Sequence, residues 1–356
     1  MTINTDSFIS LVRLGIGHSA GAISGNLDWS EVKAYAESQG LSAIVLDGIE
    51  CLPVDQRPSR DMLLEWIGEV FQGFDSRYDK YRLTISEIAN FFNARGLKMM
   101  ILKGYACSLD WPKPEHRPCG DIDIWLFGDY KKADALLASE KGINVNTDEH
   151  HHTIFSWNDF VIENHYDFIN IHRHSSHRGL EHIFKELGKD DNYRLQILGE
   201  DIYFPSPNLH ALFLIRHALN HFATVGITLR QVLDWAFFVE KHGDKVDWEW
   251  LTNILDKYHM IEFYKSINAI CVENLGFNSS LFPIVQFNTY YKDKVLDDIL
   301  NSSFNLIETS NLVTRIKNKY YRWQRSGWKQ QLCYNESRCE NFLTGLWAHL
   351  IKPKSI

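Results

Sequence analysis

Along roughly the first 95 residues, apolar positions recur at helical spacing. The segment "DWSEVKAYAESQG" opens at Asp28, a side chain suited to cap a helix, and closes at Gly40, where a left-handed residue fits. "ISEIANFFNARG" repeats the pattern, with Ile85, Ile88, Ala89 and Phe92 on one stripe and Gly96 at its end. Between them, "LDGIECLPVDQRPSRD" reads as a loop around Pro53 and Pro58. The periodicity then changes. "LKMMIL" (97–102) is a short apolar run typical of a buried strand, and "DIDIWLF" (121–127) is a second. "YKKADALLASEKG" predicts a helix ending at Gly142; "INVN", "HTIFSW" and "FVIENHYDF" predict further strands, the last two joined by a tight "ND" turn. Residues 97–170 therefore predict an α/β unit with a largely antiparallel sheet.

From Pro205 the pattern is helical again. Ser206–Pro207 offers a cap with proline at the first helical position, and "NLHALFLIRHALNHF", "LRQVLDWAFFVEKHG" and "DWEWLTNILDKYH" follow. "LDWSEVKAYAESQGL" near the start parallels "VDWEWLTNILDKYHM" at 246–260, a degenerate duplication or simply the shared demands of helix capping.

Composition adds limits. At 356 residues the chain is long enough for two lobes. A hydrophobic fraction of 45% and an aromatic fraction of 13% describe a folded globular protein. The net charge of −8 argues against bulk nucleic-acid binding, so no stable DNA binding is expected. Six scattered cysteines with no CxxC spacing predict free thiols in a reducing compartment. No basic stretch precedes a long apolar run at the start, and no segment approaches a membrane helix in length, so a soluble cytoplasmic protein without membrane partners is expected.

The candidate chemistry lies in "RPCGDIDIWL" (117–126). Strand alternation sends Asp121 and Asp123 to one face and Ile122, Ile124 and Leu126 to the other. Asp suits the interior of such an apolar strand poorly, so the pair implies a compensating cation. In "VIENHYDF" the residues Glu163, His165 and Asp167 share a face, opposite Ile162, Asn164, Tyr166 and Phe168. If that strand neighbours the first, Glu163 supplies a third carboxylate, and three carboxylates suit Mg²⁺ or Mn²⁺ with phosphate oxygens as further ligands. Ahead of the pair, "LKGYACSLDW" places Lys103 and Gly104 at a strand-to-helix turn where a phosphate can approach backbone N–H groups.

On these residues the chain resembles a known family. "ILKGYACSLDWPKPEHRPCGDIDIWL", "VIENHYDFINIH" and the tail "PSPNLHALFLIRHALNHF…LRQVLDWAFFV…VDWEWL" are similar to the uncharacterised nucleotidyltransferase family of the DNA polymerase β-like superfamily. The resemblance covers most of residues 28–260. It implies an α+β fold with a polymerase β-like palm at 97–204 (core strands 97–170), between a helical region 1–96 and a helical domain 205–356. It also implies Gly104 as the turn glycine, Asp121 and Asp123 as metal ligands and Glu163 as the third carboxylate, with Asp167 a poorer candidate. Two positions depart from the family pattern: Tyr105 stands where the superfamily has Gly or Ser, and Asn164 where the family has an apolar residue.

Several other groups carry alternatives. Eight of sixteen histidines lie between His150 and His182, including "HHH" at 150–152 and His172, His174 and His177; they form a polar hairpin mouth or a zinc site. His217 and His221, four apart, either face the cleft and touch nucleotide or are core histidines. Arg117 either contacts a triphosphate or is exposed, and Arg230 and Asp234, one helical turn apart, read as no more than an i,i+4 pair. Residues 314–331 carry six basic residues and no acid, an amphipathic helix or a polyanion-facing patch. "LGIGHSAG" (14–21) mimics a dinucleotide loop but lacks the long helix such a loop requires. The expected activity is Mg²⁺- or Mn²⁺-dependent transfer of a nucleoside monophosphate from an NTP to an acceptor hydroxyl. Catalysis is placed on Asp121, Asp123 and Glu163, and binding on Lys103, Gly104, Arg117, His165, His217 and His221. The acceptor stays open among small molecule, protein and RNA. A DxD glycosyltransferase and a non-catalytic nucleotide- or partner-binding descendant of the fold are the alternatives.

Overall fold

The computed structural model describes residues 5–21, 23, 27–172, 174, 177–283, 289–301 and 327–334. The chain begins with helices α1 (Thr5–Gly15), α2 (Trp29–Gln39), α3 (Ser42–Glu50) and α4 (Arg60–Val70), and a π-helical turn leads from α4 into α5 (Ser76–Asn93). Strand β1 (Met100–Ile101), the one-turn helix α6 (Tyr105–Ser108), β2 (Ile122–Trp125) and α7 (Tyr130–Lys141) follow. Next come β3 (His152–Trp157), β4 (Phe160–His165), α8 (His177–Leu187), β5 (Arg194–Ile197) and β6 (Glu200–Tyr203). The remainder is helical: α9 (Pro207–Thr224), α10 (Leu229–His242), α11 (Trp248–Lys257), α12 (Ile261–Ala269), α13 (Thr289–Leu300) and a segment at 327–334.

The fold is α+β around one six-stranded mixed sheet of order β3-β4-β2-β1-β6-β5. Pairings β1–β2, β3–β4 and β5–β6 are antiparallel, whereas β1–β6 and β2–β4 are parallel. The sheet is therefore less antiparallel than the strand pattern suggests. The "ND" turn is present, with Asn158 at φ 51°, a left-handed value that Asn tolerates better than most residues. "INVN" contributes a single bridge, Asn146 to Ile154. The β5–β6 hairpin lacks an apolar alternation because β5 lies at the sheet edge with most of its residues exposed.

Two apolar cores form on the two faces of the sheet. The smaller gathers α5, α7 and the far face of the strands, including Ile85, Phe92, Ile122, Ile124, Leu137 and Ile162. The larger joins α1–α4 to α8–α13 in one continuous cluster and takes in Trp125 from the near face. Residues 76–93, which precede the boundary drawn at residue 96, thus pack with the sheet, and the first four helices pack with the last ones. Gln39 ties the two ends of the helical lobe: its Nε2 donates to the Ile299 carbonyl at 3.1 Å, and its Oε1 accepts from the Leu229 N–H at 2.9 Å.

The parallel between 27–41 and 246–260 extends to backbone detail. Asp28 accepts from Ser30 and Glu31 N–H, and Asp247 from Trp250 N–H. Gly40 (φ 67°) and His259 (φ 59°) take the same left-handed turn, and the Leu41 and Met260 N–H groups bond back to Ala36 and Leu255. Both motifs fold the next helix back through a buried Leu41 or Met260. The "LGIGHSAG" loop follows α1 rather than a strand, in keeping with its rejection as a dinucleotide loop.

Helices α1 and α3 cross at glycines. A Cβ on Gly48 would lie 2.1 Å from the Leu11 carbonyl oxygen, and one on Gly15 would lie 1.9 Å from that of Ile44. Both obstacles are backbone, so neither can swing away. Gly48→Ala is expected to destabilise the protein by about 1–3 kcal/mol or more, read as a lower urea midpoint. Gly68→Ala, where nothing lies within 4 Å, is the control and should leave it unchanged or raise it.

Candidate active site

Strands β2 and β4 run parallel in the register Asp123 to Glu163, so these two carboxylates sit side by side on the near face. Asp123 is 1% exposed. Lys103, at the end of β1, brings Nζ to 3.0 Å from Asp123 Oδ1. His165, two residues beyond Glu163, places Nε2 at 3.1 Å from the same oxygen and 3.5 Å from Glu163 Oε2. Its Nδ1 donates to the Asp167 carbonyl at 3.2 Å.

The electrostatics follow from this packing. Burial opposes a charge on His165, but hydrogen bonds and attraction from Asp123 and Glu163 override it and raise its pKa to about 9. Burial pushes Glu163 up, yet the His165 hydrogen bond and the Lys103 charge bring it down to about 2. Lys103 is likewise raised: Asp123, Asp121 and Glu163 outweigh its desolvation. Two cations thus balance two carboxylates, Asp123 buried and Glu163 partly so. One atom is left out: Asp123 Oδ2 is buried with no partner among the described residues.

The expected residues converge unevenly. Asp121 is exposed and precedes β2 at the site's edge, and both adjoining cavities reach it. It stands outside the group Asp123–Glu163–His165, whose ligand atoms lie within 4.8 Å of one another. Asp167 is not part of the cluster: the chain leaves the strand after His165, and Asp167 pairs with Lys185 of α8. The same departure carries Phe168 onto Trp125, 4.6 Å between ring centroids, on the near side of the sheet rather than the far one.

Arg117 is buried and donates through Nε and Nη2 to Asp234 at 2.8 and 2.9 Å, while Nη1 reaches the Pro118 carbonyl. Its donors are committed to protein, so it anchors the loop before β2 to α10. Trp111 donates to the same Asp234. Asp234 therefore serves Arg117 rather than Arg230, whose Nε is buried with no partner among the described residues.

Gly104 has φ 63° and ψ −99°, and a Cβ there would lie 2.6 Å from the Tyr81 hydroxyl. Tyr81, from α5, donates to the Asp121 carbonyl at 2.8 Å and so clamps the turn after β1 to the entry of β2. Nothing in the sequence pattern marks Tyr81 as part of the site. Tyr105, the departure from the family pattern, points away into the smaller core and stacks on Tyr78. Asn164 is accommodated by Asp134 of α7, which accepts from Asn164 and from Thr153.

The near face opens into a cavity of about 360 Å³ lined by Lys103, Asp121, Glu163, His165 and the imidazoles of His150, His151, His152, His177, His217 and His221. A second space of about 70 Å³, reached by Gly104, Asp121, Asp123 and Arg230, adjoins it. His217 and His221 thus face the cleft, with His217 Nε2 3.4 Å from Lys103 Nζ. Burial and the positive charge of Lys103 hold both well below the ordinary imidazole value, His221 at about 4. The first part of the basic segment, 314–326, lies outside the described residues; within the rest, Lys329 is buried against Phe222 and paired with Asp298.

Residues 25–276 match the family described as "Uncharacterised nucleotidyltransferase". The chain belongs to this family. The match takes in both strands of the carboxylate site and the histidines of α9. No curated protein matches the sequence. Among solved structures, an antigenic nucleotidyltransferase-like protein from Paracoccidioides brasiliensis is similar at 13% identity and a TM-score of 0.37, covering 57% of this chain and 97% of that one. Among the described residues of this nucleotidyltransferase-family chain, no helix is long and apolar enough to cross a membrane. The five described cysteines are free; Cys339 lies outside the described residues.

One pH dependence follows. Burial holds His210, which lies against Cys107 and Phe238, at about 4, aided by the neighbouring His242. Between pH 6.5 and 4 the unfolded chain binds a proton that the folded one resists, so stability falls as pH drops through this window. His210 alone accounts for on the order of 2 kcal/mol at pH 5. Urea unfolding at pH 7 and pH 5 should show the loss, and His210→Asn should reduce it.

Proposed function

We propose that this protein is a Mg²⁺-dependent nucleotidyltransferase that moves a nucleoside monophosphate from an NTP to an acceptor hydroxyl. One observation carries the reading: two carboxylates stand in register on adjacent strands, Glu163 at a cavity of about 360 Å³ and Asp123, with a buried oxygen left unpartnered, at the adjoining space of about 70 Å³. A buried carboxylate oxygen with no donor is costly unless a cation takes it, so the donor set fits a divalent ion. Asp123 and Glu163, with Asp121 at the edge, would hold Mg²⁺ or Mn²⁺, whose charge neutralises the triphosphate and the departing pyrophosphate.

The remaining work falls to the chain's own groups. Lys103, already at the site and charged, turns from Asp123 to a phosphate oxygen. The Gly104 turn, whose missing side chain leaves room for the Tyr81 hydroxyl, presents its backbone to the triphosphate. The acceptor oxygen forms a bond to the α-phosphorus, the bond to the bridging oxygen breaks, and pyrophosphate leaves. Glu163 accepts a hydrogen bond from the acceptor hydroxyl and orients it, and its proton passes to solvent. The uncharged imidazoles of His217 and His221 offer hydrogen bonds and ring faces to base or acceptor without adding charge beside Lys103. Positioning and charge complementarity supply the rate. The glycosyltransferase alternative requires a nucleotide-binding α/β region before the DxD, and the described residues of 5–93 hold helices alone.

Asp121→Asn combined with Asp123→Asn should abolish Mg²⁺-dependent pyrophosphate release and NTP binding by calorimetry. Lys103→Met should weaken NTP binding by on the order of tenfold or more, the worth of one charge-assisted hydrogen bond. Binding of none of the four NTPs by the wild-type protein, or activity surviving in the double variant, would overturn the reading.

A further inference from the structure

Beside the carboxylates lies a second donor group of different chemistry. His152 opens β3 directly opposite His165 of β4, and His151 precedes it. The ligand atoms of His151, His152 and His165 all lie within 4.8 Å of one another. Their ring centroids stand 4.3 to 5.5 Å apart. His165 is held by its own hydrogen bonds to Asp123 and the Asp167 carbonyl, but the other two imidazoles are not satisfied: the Nδ1 atoms of His151 and His152 are buried with no partner among the described residues. His152 is 6% exposed and His165 4%.

The outer contacts suit coordination. His165 donates Nδ1–H to the Asp167 carbonyl at 3.2 Å, which fixes the ring and leaves Nε2, now 3.1 Å from Asp123 Oδ1, as the nitrogen a metal ion would take in place of that contact. A metal-bound histidine commonly uses its second nitrogen in this way. Glu163 Oε1 stands 3.9 Å from His152 Nε2, and the group opens on the 360 Å³ cavity, so a solvent or phosphate oxygen can complete a coordination shell.

The geometry points to a binding site for a divalent transition ion of the zinc class, with His151, His152 and His165 as its protein ligands. Nitrogen donors select the ion. Mg²⁺ prefers oxygen and keeps its water, whereas Zn²⁺ takes three imidazoles and one open position at ordinary bond lengths of about 2.0–2.1 Å. The site is distinct in donor type from the Asp121–Asp123–Glu163 side, although His165 borders both. This assignment does not depend on nucleotidyl transfer.

The test uses the full chain, freed of metal by chelation and titrated by calorimetry with Zn²⁺ alone and Mg²⁺ alone, without nucleotide. One Zn²⁺ per chain is expected to bind far more tightly than Mg²⁺. His151→Ala combined with His152→Ala should weaken Zn²⁺ by more than about a hundredfold, beyond the cost of losing an outer partner. Co²⁺ added to the wild-type protein gives a reading that needs no variant: intense visible bands mark a low-coordinate, nitrogen-rich site, and the weak spectrum of six-coordinate cobalt does not. Zn²⁺ binding no tighter than Mg²⁺, unchanged Zn²⁺ affinity in a folded double variant, or a six-coordinate cobalt spectrum would each overturn the assignment. NTP binding with Mg²⁺, measured separately on the double variant, reports on the proposed transferase and not on this site.

Discussion

Everything in the site depends on one buried charge. Asp123 sits inside a sheet strand with 1% of its surface exposed, where an isolated carboxylate would take up a proton or unfold the strand. Lys103 and His165 prevent that by reaching the same oxygen from the neighbouring strands β1 and β4. The strand order places β2 between those two neighbours, and it is the mixed pairing that sets the distances. Because β2 and β4 run parallel, Glu163 lands beside Asp123 rather than a strand length away.

The surroundings hold this arrangement from both faces. On the far side, Ile122, Ile124 and Ile162 pack with α5 and α7, which pins the strand register. On the near side, α9 covers the cluster and brings His217 to Lys103. The loop entering β2 is fastened twice, by Arg117 to Asp234 of α10 and by Tyr81 to the Asp121 carbonyl. Removing one partner of the Arg117–Asp234 pair would leave a buried charge uncompensated, so this contact is a constraint on geometry more than a source of stability.

The near-face cavity combines two chemistries that seldom share a wall. The carboxylates offer hard oxygen donors, and beside them a set of neutral imidazoles offers nitrogen donors without adding positive charge. Burial keeps those imidazoles uncharged: His152 and His221 are each held at about 4. A polyanionic substrate therefore meets Lys103, His165 and Arg216 as cationic groups of this cavity, while the neutral histidines remain available as hydrogen-bond partners or ligands.

Much of this was written locally and could be read from the chain alone. The Asp28 and Asp247 caps, the Gly40 turn, the β3–β4 hairpin and the burial of Ile122 and Ile124 follow from short-range periodicity and side-chain chemistry. So does the shared face of Asp121 and Asp123, although only Asp123 is enclosed. What required the tertiary structure was long-range pairing. The parallel register of β2 with β4, the joining of α1–α4 to the last helices, and the capture of Arg117 by Asp234 each link residues dozens to hundreds of positions apart. Local sequence sets which face a side chain takes; which groups then meet there is decided by how the strands are ordered, because only the packed sheet fixes their separation.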